Sequence, residues 1–366
     1  MRIKIADTDI TGLLIRCTWS GSRLNVARTL EFTFIQDDRD PNIPIVDVDT
    51  GYTCYGYAEV DTTQDQTTAD AIAIQMATMS KEEQQKMAEP IFVGNIYKVE
   101  KNRAKGTVKV TAHDHLFVLA HSKTTRKFAS VTPEDITKQI CAEMGVLPGN
   151  IIETKTPVSF IANRKTGYQI IMGAYNEAAK ILQQQAGKDE NGKDKPGPKY
   201  QPIMNGAKLD VIEKGTLIDG FTADSYINMT DSSYSESIEN IVNQVMVVDS
   251  EGNAKDYIRD DDDIKKHSMF QDVYKEDKNK DTQIEAKNLL KKPEREGTIV
   301  VLGDYRVKSS YSIAIKDSLQ NKVSAQFWIK SDTHTFLDGK HEMKLVLEFE
   351  NIMNGEKVEK EKEDKK

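Results

Sequence analysis

His113 and His115 flank Asp114 at the end of a strand-like run, a spacing that puts both imidazoles on one side of an extended chain, where they could hold zinc. A zinc site needs a third ligand, and no second cluster of Cys or His lies nearby in sequence, so local capping or pairing is the stronger expectation. The run Asp260 to Asp263, followed by Lys265 and Lys266, could attract a divalent cation. Calcium loops place carboxylates at alternating positions around a glycine turn, and a plain acidic run lacks that spacing. The stretch Asp189-Glu-Asn191-Gly-Lys193-Asp194 fails the same test, with Lys193 at a ligand position and Asp194 at the glycine position. Both are expected to be solvated loops. No G-x-S-x-G elbow, complete G-x-x-x-x-G-K-[ST] phosphate loop or dinucleotide fingerprint occurs. Carboxylate pairs for glycoside hydrolysis need only a spatial separation of roughly 5 to 10 Å, so 58 acidic residues lend that chemistry no weight. The expectation is therefore no catalytic, cofactor-binding or metal-binding residue, and no enzyme.

The elements around these residues are mostly strands. At 366 residues the chain has room for two or three domains. Thirty-eight per cent of residues are apolar and 30% charged, which leaves much of the chain to surface, insertions or tail. The net charge is -8, with 50 basic residues spread along the chain, and this argues against specific nucleic-acid binding. Cys17, Cys54 and Cys141 form no C-x-x-C pair, as expected of free thiols in a chain made in a reducing compartment, the bacterial cytoplasm. The beginning, Met1-Arg-Ile-Lys-Ile, has no leader-like apolar run, and nothing approaches the roughly 20 apolar residues of a membrane span, so membrane insertion is not expected.

Thr29 to Phe34 alternates Leu30, Phe32 and Phe34 with Thr29, Glu31 and Thr33, the period of a half-buried strand. Arg2 to Ala6, Phe92 to Val99 and Thr107 to Ala112 read the same way. Residues 59–90 interrupt this block with an Ala- and Met-rich, helix-prone segment and a Ser80/Glu83 capping box. Thr132-Pro-Glu-Asp starts a helix whose apolar face is Ile136, Ile140 and Met144, ended by Gly145. Gly167 to Ala186 is a longer amphipathic helix, and Tyr200 to Met204 with Lys208 to Ile212 is a hairpin. A second strand-rich block follows, with strands expected at 245–248, 298–302, 305–309, 311–315, 325–329 and 343–349, a short helix at 282–292, and a charged tail from Glu356.

Several segments carry a resemblance in their order: Ser22 to Phe34, Ala112-x-Asp114-x4-Leu119, Thr132-x3-Ile136, Asn150-Ile-Ile-x-Thr154, Tyr168-x2-Ile171-x2-Ala174-Tyr175, Lys208-Leu-x-Val, Asn243-x-Val-x-Val and Gly303-Asp304. Together they resemble the baseplate hub proteins of contractile phage tails, in particular the XkdQ-like proteins of PBSX-type prophages and related tail-like bacteriocins. The resemblance implies a mainly β fold with an α+β middle module, in which two tail-tube-like β-barrels accompany a small α/β domain and a partly helical insertion. The corresponding boundaries are 1–122 for the first barrel with its insertion at 59–90, 123–213 for the α/β module, 214–253 with 296–353 for the second barrel, 254–295 for a polar and helical insertion, and 354–366 for a disordered tail. It also implies a homotrimer joining a six-fold tail tube to a three-fold central spike, with other baseplate or tape-measure proteins as further partners, in a particle released by lysis. On this reading Val93, Val108, Val110, Val245, Val247, Phe327 and Trp328 are core or interface residues. Competing readings are a peptidoglycan-binding and a wall-degrading protein.

Overall fold

A computed structural model of the chain describes residues 1–58, 89–188, 190, 195–277, 282–317, 322–349, 351 and 353. The insertion expected at 59–90 lies almost wholly outside those residues, as do Asp189, residues 191–194 and the charged tail. The fold is mainly β with an α+β middle module. It divides into two compact units, Met1–Asp231 with Ile299–Lys366, and Ser232–Thr298.

In the first unit, strands β1 (Arg2–Ile5), β2 (Thr8–Asp9), β3 (Leu14–Ser22), β4 (Thr29–Ile35), β5 (Thr53–Tyr57), β6 (Phe92–Asn102) and β7 (Thr107–Asp114) form one antiparallel block. Its core follows the alternation: Leu30, Phe32 and Phe34 of β4 are buried with Trp19 of β3 and Val108, Val110 and Ala112 of β7. Phe32 stands opposite Cys17 on one side and Val110 on the other. All three cysteines are buried free thiols, with burial pushing Cys17 up to about 12 and Cys141 up to about 11.

The middle module runs through α1 (Leu116–His121), β8 (Lys123–Val131), α2 (Pro133–Met144), β9 (Leu147–Ile151), β10 (Val158–Thr166), α3 (Gly167–Ala186), β11 (Tyr200–Asn205) and β12 (Lys208–Glu213). Thr132 caps α2, its hydroxyl accepting from Asp135 N at 3.4 Å, and Gly145 ends it with φ 69°. Thr132→Ala is expected to cost about 1 kcal/mol, read as a lower urea midpoint at unchanged slope. Helix α3 starts on a reciprocal Thr166/Gln169 capping box and buries Ile170, Ile171, Ala174, Tyr175 and Ala178. Leu116 and Leu119 of α1 join this core rather than that of the preceding strands.

The second β block begins with β13 (Leu217–Asp224) and β14 (Met229–Ser237), the latter leading into the second unit. That unit holds β15 (Gln244–Val248), β16 (Ala254–Arg259), α4 (Asp261–His267), β17 (Gln271–Lys275) and α5 (Thr282–Lys287). Here β15 is the centre of a three-stranded sheet, antiparallel to β16 and parallel to β17. Val245, Val247 and Ala286 make its small core. The strong strand at 245–248, grouped by sequence with the second block, thus belongs to this separate sheet.

Strand β18 (Glu294–Leu302) returns to the first unit, followed by β19 (Ser312–Asp317), β20 (Lys322–Leu337) and β21 (Lys340–Glu348). The strand expected at Tyr305 to Ser309 is a loop. Asp304 accepts hydrogen bonds from Arg306 N and from its guanidinium, which turns the chain locally instead of extending it. Strand β20 runs 16 residues, much longer than the segment at 325–329 expected from its apolar residues. Its first part pairs with β19, Ile313 facing Phe327. After a register shift between Ile329 and Ser331, its second part pairs with β3, Ser331 facing Ser22 and Phe336 facing Cys17. One strand therefore serves both β blocks: Ile329 sits in the core of the second and Phe336 in the core of the first. The result, among the described residues, is a thirteen-stranded sheet: a continuous path of eleven strands from which β19, carrying β13, branches at β20.

Candidate functional site

The residues singled out for chemistry are dispersed. The imidazole of His113 bonds Thr29 Oγ1 at 3.1 Å and stacks on Phe117, which also stacks with His121 at a ring distance of 3.9 Å. His115 bonds instead to the Ala207 backbone, and burial lowers the pKa of both His113 and His115. Asp260 caps α4 through Asp263 N at 3.1 Å, while Asp263 accepts from Asn243 Nδ2 at 3.1 Å and lies 3.0 Å from His267 Nδ1. The acidic run is thus engaged by its own helix. Among the described residues no group of three or more His, Cys, Asp or Glu side chains is placed to hold a metal ion. Val93, Val108, Val110, Val245 and Val247 are buried, and Phe327 packs against the core of the second block.

What the sequence did not single out is a buried ionic junction on β20, just past its register shift. Asp332 is 1% exposed. The guanidinium of Arg28, immediately before β4, donates to both its oxygens, Nη1 at 3.0 Å and Nη2 more closely. Ser309 N donates to the same carboxylate at 2.6 Å, and His334 Nε2 lies 3.4 Å away. Burial alone would raise the Asp332 pKa, but Arg28 and the His334 hydrogen bond outweigh it and hold the carboxyl far below its usual range. Arg28 also lies over the Trp19 ring, 4.0 Å from its centroid, so its charge is sandwiched between a π face and a carboxylate. Its backbone N–H donates at 3.0 Å to Asp114, which in turn accepts from Leu116 N at 3.0 Å and fixes the start of α1. Burial pushes the Asp114 carboxyl up to about 7 against these hydrogen bonds. The junction therefore ties β3, β4 and β7, the first helix of the middle module, and β20 in one network.

Two extensions complete it. His334 Nε2 donates to Val307 O at 2.8 Å, and its Nδ1 shares a hydrogen bond with His341 Nε2 at 2.9 Å. Burial first, then His334, pushes His341 down to about 3, while Asp304 pulls the other way. At the end of β21, Glu348 accepts from Arg23 Nε at 2.7 Å and from the fully buried Lys214 ammonium at 3.0 Å. This second pair of contacts joins the β3–β4 loop to the turn after β12 through the last strand. Neither constellation offers a nucleophile beside a free base. Each fixes geometry.

The fold is similar to that of the 43 kDa tail protein of prophage MuSo2 from Shewanella oneidensis, at a TM-score of 0.64, 10% identity and 95% coverage of both chains. A tail protein from Neisseria meningitidis MC58 is similar at 0.57, with 11% identity over 94% of this chain and 95% of the other. The E. coli c3393 protein, described as a type VI secretion component structurally similar to T4 tail proteins gp27 and gp5, reaches 0.50 at 8% identity, over 98% of this chain and 80% of that one. No curated protein sequence matches the chain. The model of the YQBQ-like family matches residues 17–348, from within β3 to the last residue of β21, and the chain belongs to that family.

Proposed function

We propose that this protein is the structural baseplate hub of a contractile tail or tail-like bacteriocin, acting as a homotrimer that adapts the six-fold tail tube to the three-fold central spike. The observation that carries this reading is the shared strand: β20 belongs to both β blocks, and buried ions lock it where it passes between them. An adaptor transmits load without chemistry, and a common ladder with desolvated ion pairs resists shear between its parts. In this assembly 1–122 and 214–231 with 299–353 supply two tube-like barrels per chain, 123–213 is the α/β module between them in sequence, and the separate unit at 232–298, wider than the 254–295 read from sequence, is the insertion. Copies closing around an axis cover strand edges that would otherwise recruit other chains. Its partners are the tube, the spike and other baseplate or tape-measure proteins, in a particle assembled in the bacterial cytoplasm and released by lysis.

Light scattering on the purified chain, alone and mixed with the neighbouring tube and spike proteins, is expected to find three copies per complex. Monomers in every mixture would overturn the proposal. So would release of soluble fragments from purified peptidoglycan, which would assign a wall hydrolase instead.

A further inference from the structure

The antiparallel ribbon of β8 and β10 in the middle module carries five cations, Lys123, Arg126, Lys127, Arg164 and Lys165, and no carboxylate, in a chain whose net charge is -8. Its inner face is sealed: Phe128 stands opposite Phe160, and both are buried with Val158 and Ala162 in the core of the module. The outer side is open. Lys123, Arg126, Lys127 and Arg164 are exposed, and Arg126 meets Glu143 of α2 at 3.0 Å. The side chains of Lys123, Arg164 and Lys165 make no hydrogen bond or ion pair among the described residues. Arg164 sits at a bulge with φ 52°, where its N–H donates to Thr125 Oγ1 at 3.1 Å, so its side chain leaves the ribbon from a fixed backbone. Among the described residues this sheet holds two strands and no more, which leaves the outer backbone edge of β8 without a ladder partner.

We propose that β8 is a docking edge for an extended acidic segment of a partner protein, which joins the ribbon as a third strand. The backbone of β8 supplies the donors and acceptors of the new ladder, and the unengaged cations supply the charge that selects the segment. Other occupants use one of these features and not the other. The same edge of a second copy would bring lysine against lysine, the arrangement that keeps edge strands apart. A phosphate polymer would meet the cations but make no use of the strand's C=O groups, and both aromatic rings of the ribbon, Phe128 and Phe160, are buried where no base can stack on them. An acidic strand satisfies backbone and side chains together. Binding should therefore weaken with salt and depend on the segment's backbone as well as on its charge.

A fluorescent peptide alternating glutamate with valine, blocked at both termini and matched to the 9 residues of β8, tests this on the full chain by anisotropy, with hydrogen exchange as a second readout. It is expected to bind and to slow exchange of the 123–131 amides. Lysine in place of glutamate in the peptide, or Lys123→Glu with Arg164→Glu in the protein, should weaken binding at least about tenfold. Methylating every backbone nitrogen of the acidic peptide keeps its charge but removes its ladder donors, and should weaken binding by a similar factor. If the double variant loses its circular dichroism spectrum, the three peptides on the wild-type chain decide. Equal binding by the methylated or the lysine peptide, no binding by the acidic one, or no added protection at 123–131 overturns the proposal. So does competition by oligothymidylate at least as effective as that by unlabelled acidic peptide, which would assign a surface for phosphate polymers. The isolated chain carries the whole edge, so failure here leaves the hub reading standing, and the reverse.

Discussion

Asp332→Ala is expected to lower the unfolding free energy by about 3–5 kcal/mol, because it leaves the Arg28 guanidinium buried beneath Trp19 without its counter-charge. Ser309 N loses its acceptor in the same step. The cost reflects a stranded charge rather than the intrinsic worth of the pair, so a second variant separates the two. Arg28→Met with Asp332→Leu removes both charges and keeps volume, and should recover most of the loss or exceed the wild type. Urea unfolding followed by tryptophan fluorescence reads both, since Trp19 touches the network directly. A single-variant cost below about 1 kcal/mol, the range of an exposed pair, would show that the junction does not hold β20 against β3.

Acid should loosen the same region through His341. Its folded pKa of about 3 lies below the ordinary 6.5, so the unfolded chain takes up the proton first. Stability is therefore complete above about pH 6.5 and is lost as pH falls toward 3. Discounted for partial access to water, the loss attributable to this group is on the order of 3 kcal/mol. Asp332, held far below its usual range, adds to the loss once pH drops through the ordinary carboxylate range. Asp114 acts in the opposite sense: its pKa is raised to about 7, so its protonation favours the fold as pH falls from there toward 3.8. A wild-type profile alone mixes these signs. His341→Gln keeps an amide, able to donate or accept, opposite His334 Nδ1 but does not titrate, and its stability should fall by about 2–3 kcal/mol less than the wild type between pH 7 and pH 4. Superimposable profiles would remove His341 from the acid response.

Much of the scaffold was legible because local rules and tertiary packing agree. Thr132, Pro133 and Gly145 mark both ends of α2 within their own few residues, and the period-two alternation of β4 needs no knowledge of its neighbours. The junction was not legible, for Arg28 and Asp332 lie 304 positions apart and meet only through a strand pairing that no local pattern encodes. One signal was present. Asp332, His334 and Phe336 share one parity along β20, so polar groups occupy the inward face that Phe336 defines, and a charged residue on a core face asks for a buried partner. The length of β20 was hidden for a related reason: its second half is polar enough to resemble a solvent-exposed segment, and only the buried partners on β3 and β4 make it a strand interior.

Because one strand closes both sheets, neither half can be inherited or grafted by itself. A truncated gene ending before residue 322 would leave the β3 backbone without the neighbour it uses from Cys17 to Ser22, and a fragment starting after residue 231 would carry Asp332 without its arginine. Recombination between relatives should therefore exchange the Ser232–Thr298 unit far more readily than anything that separates β3 from β20, and lineages of such proteins should diverge as whole frames with interchangeable appendages.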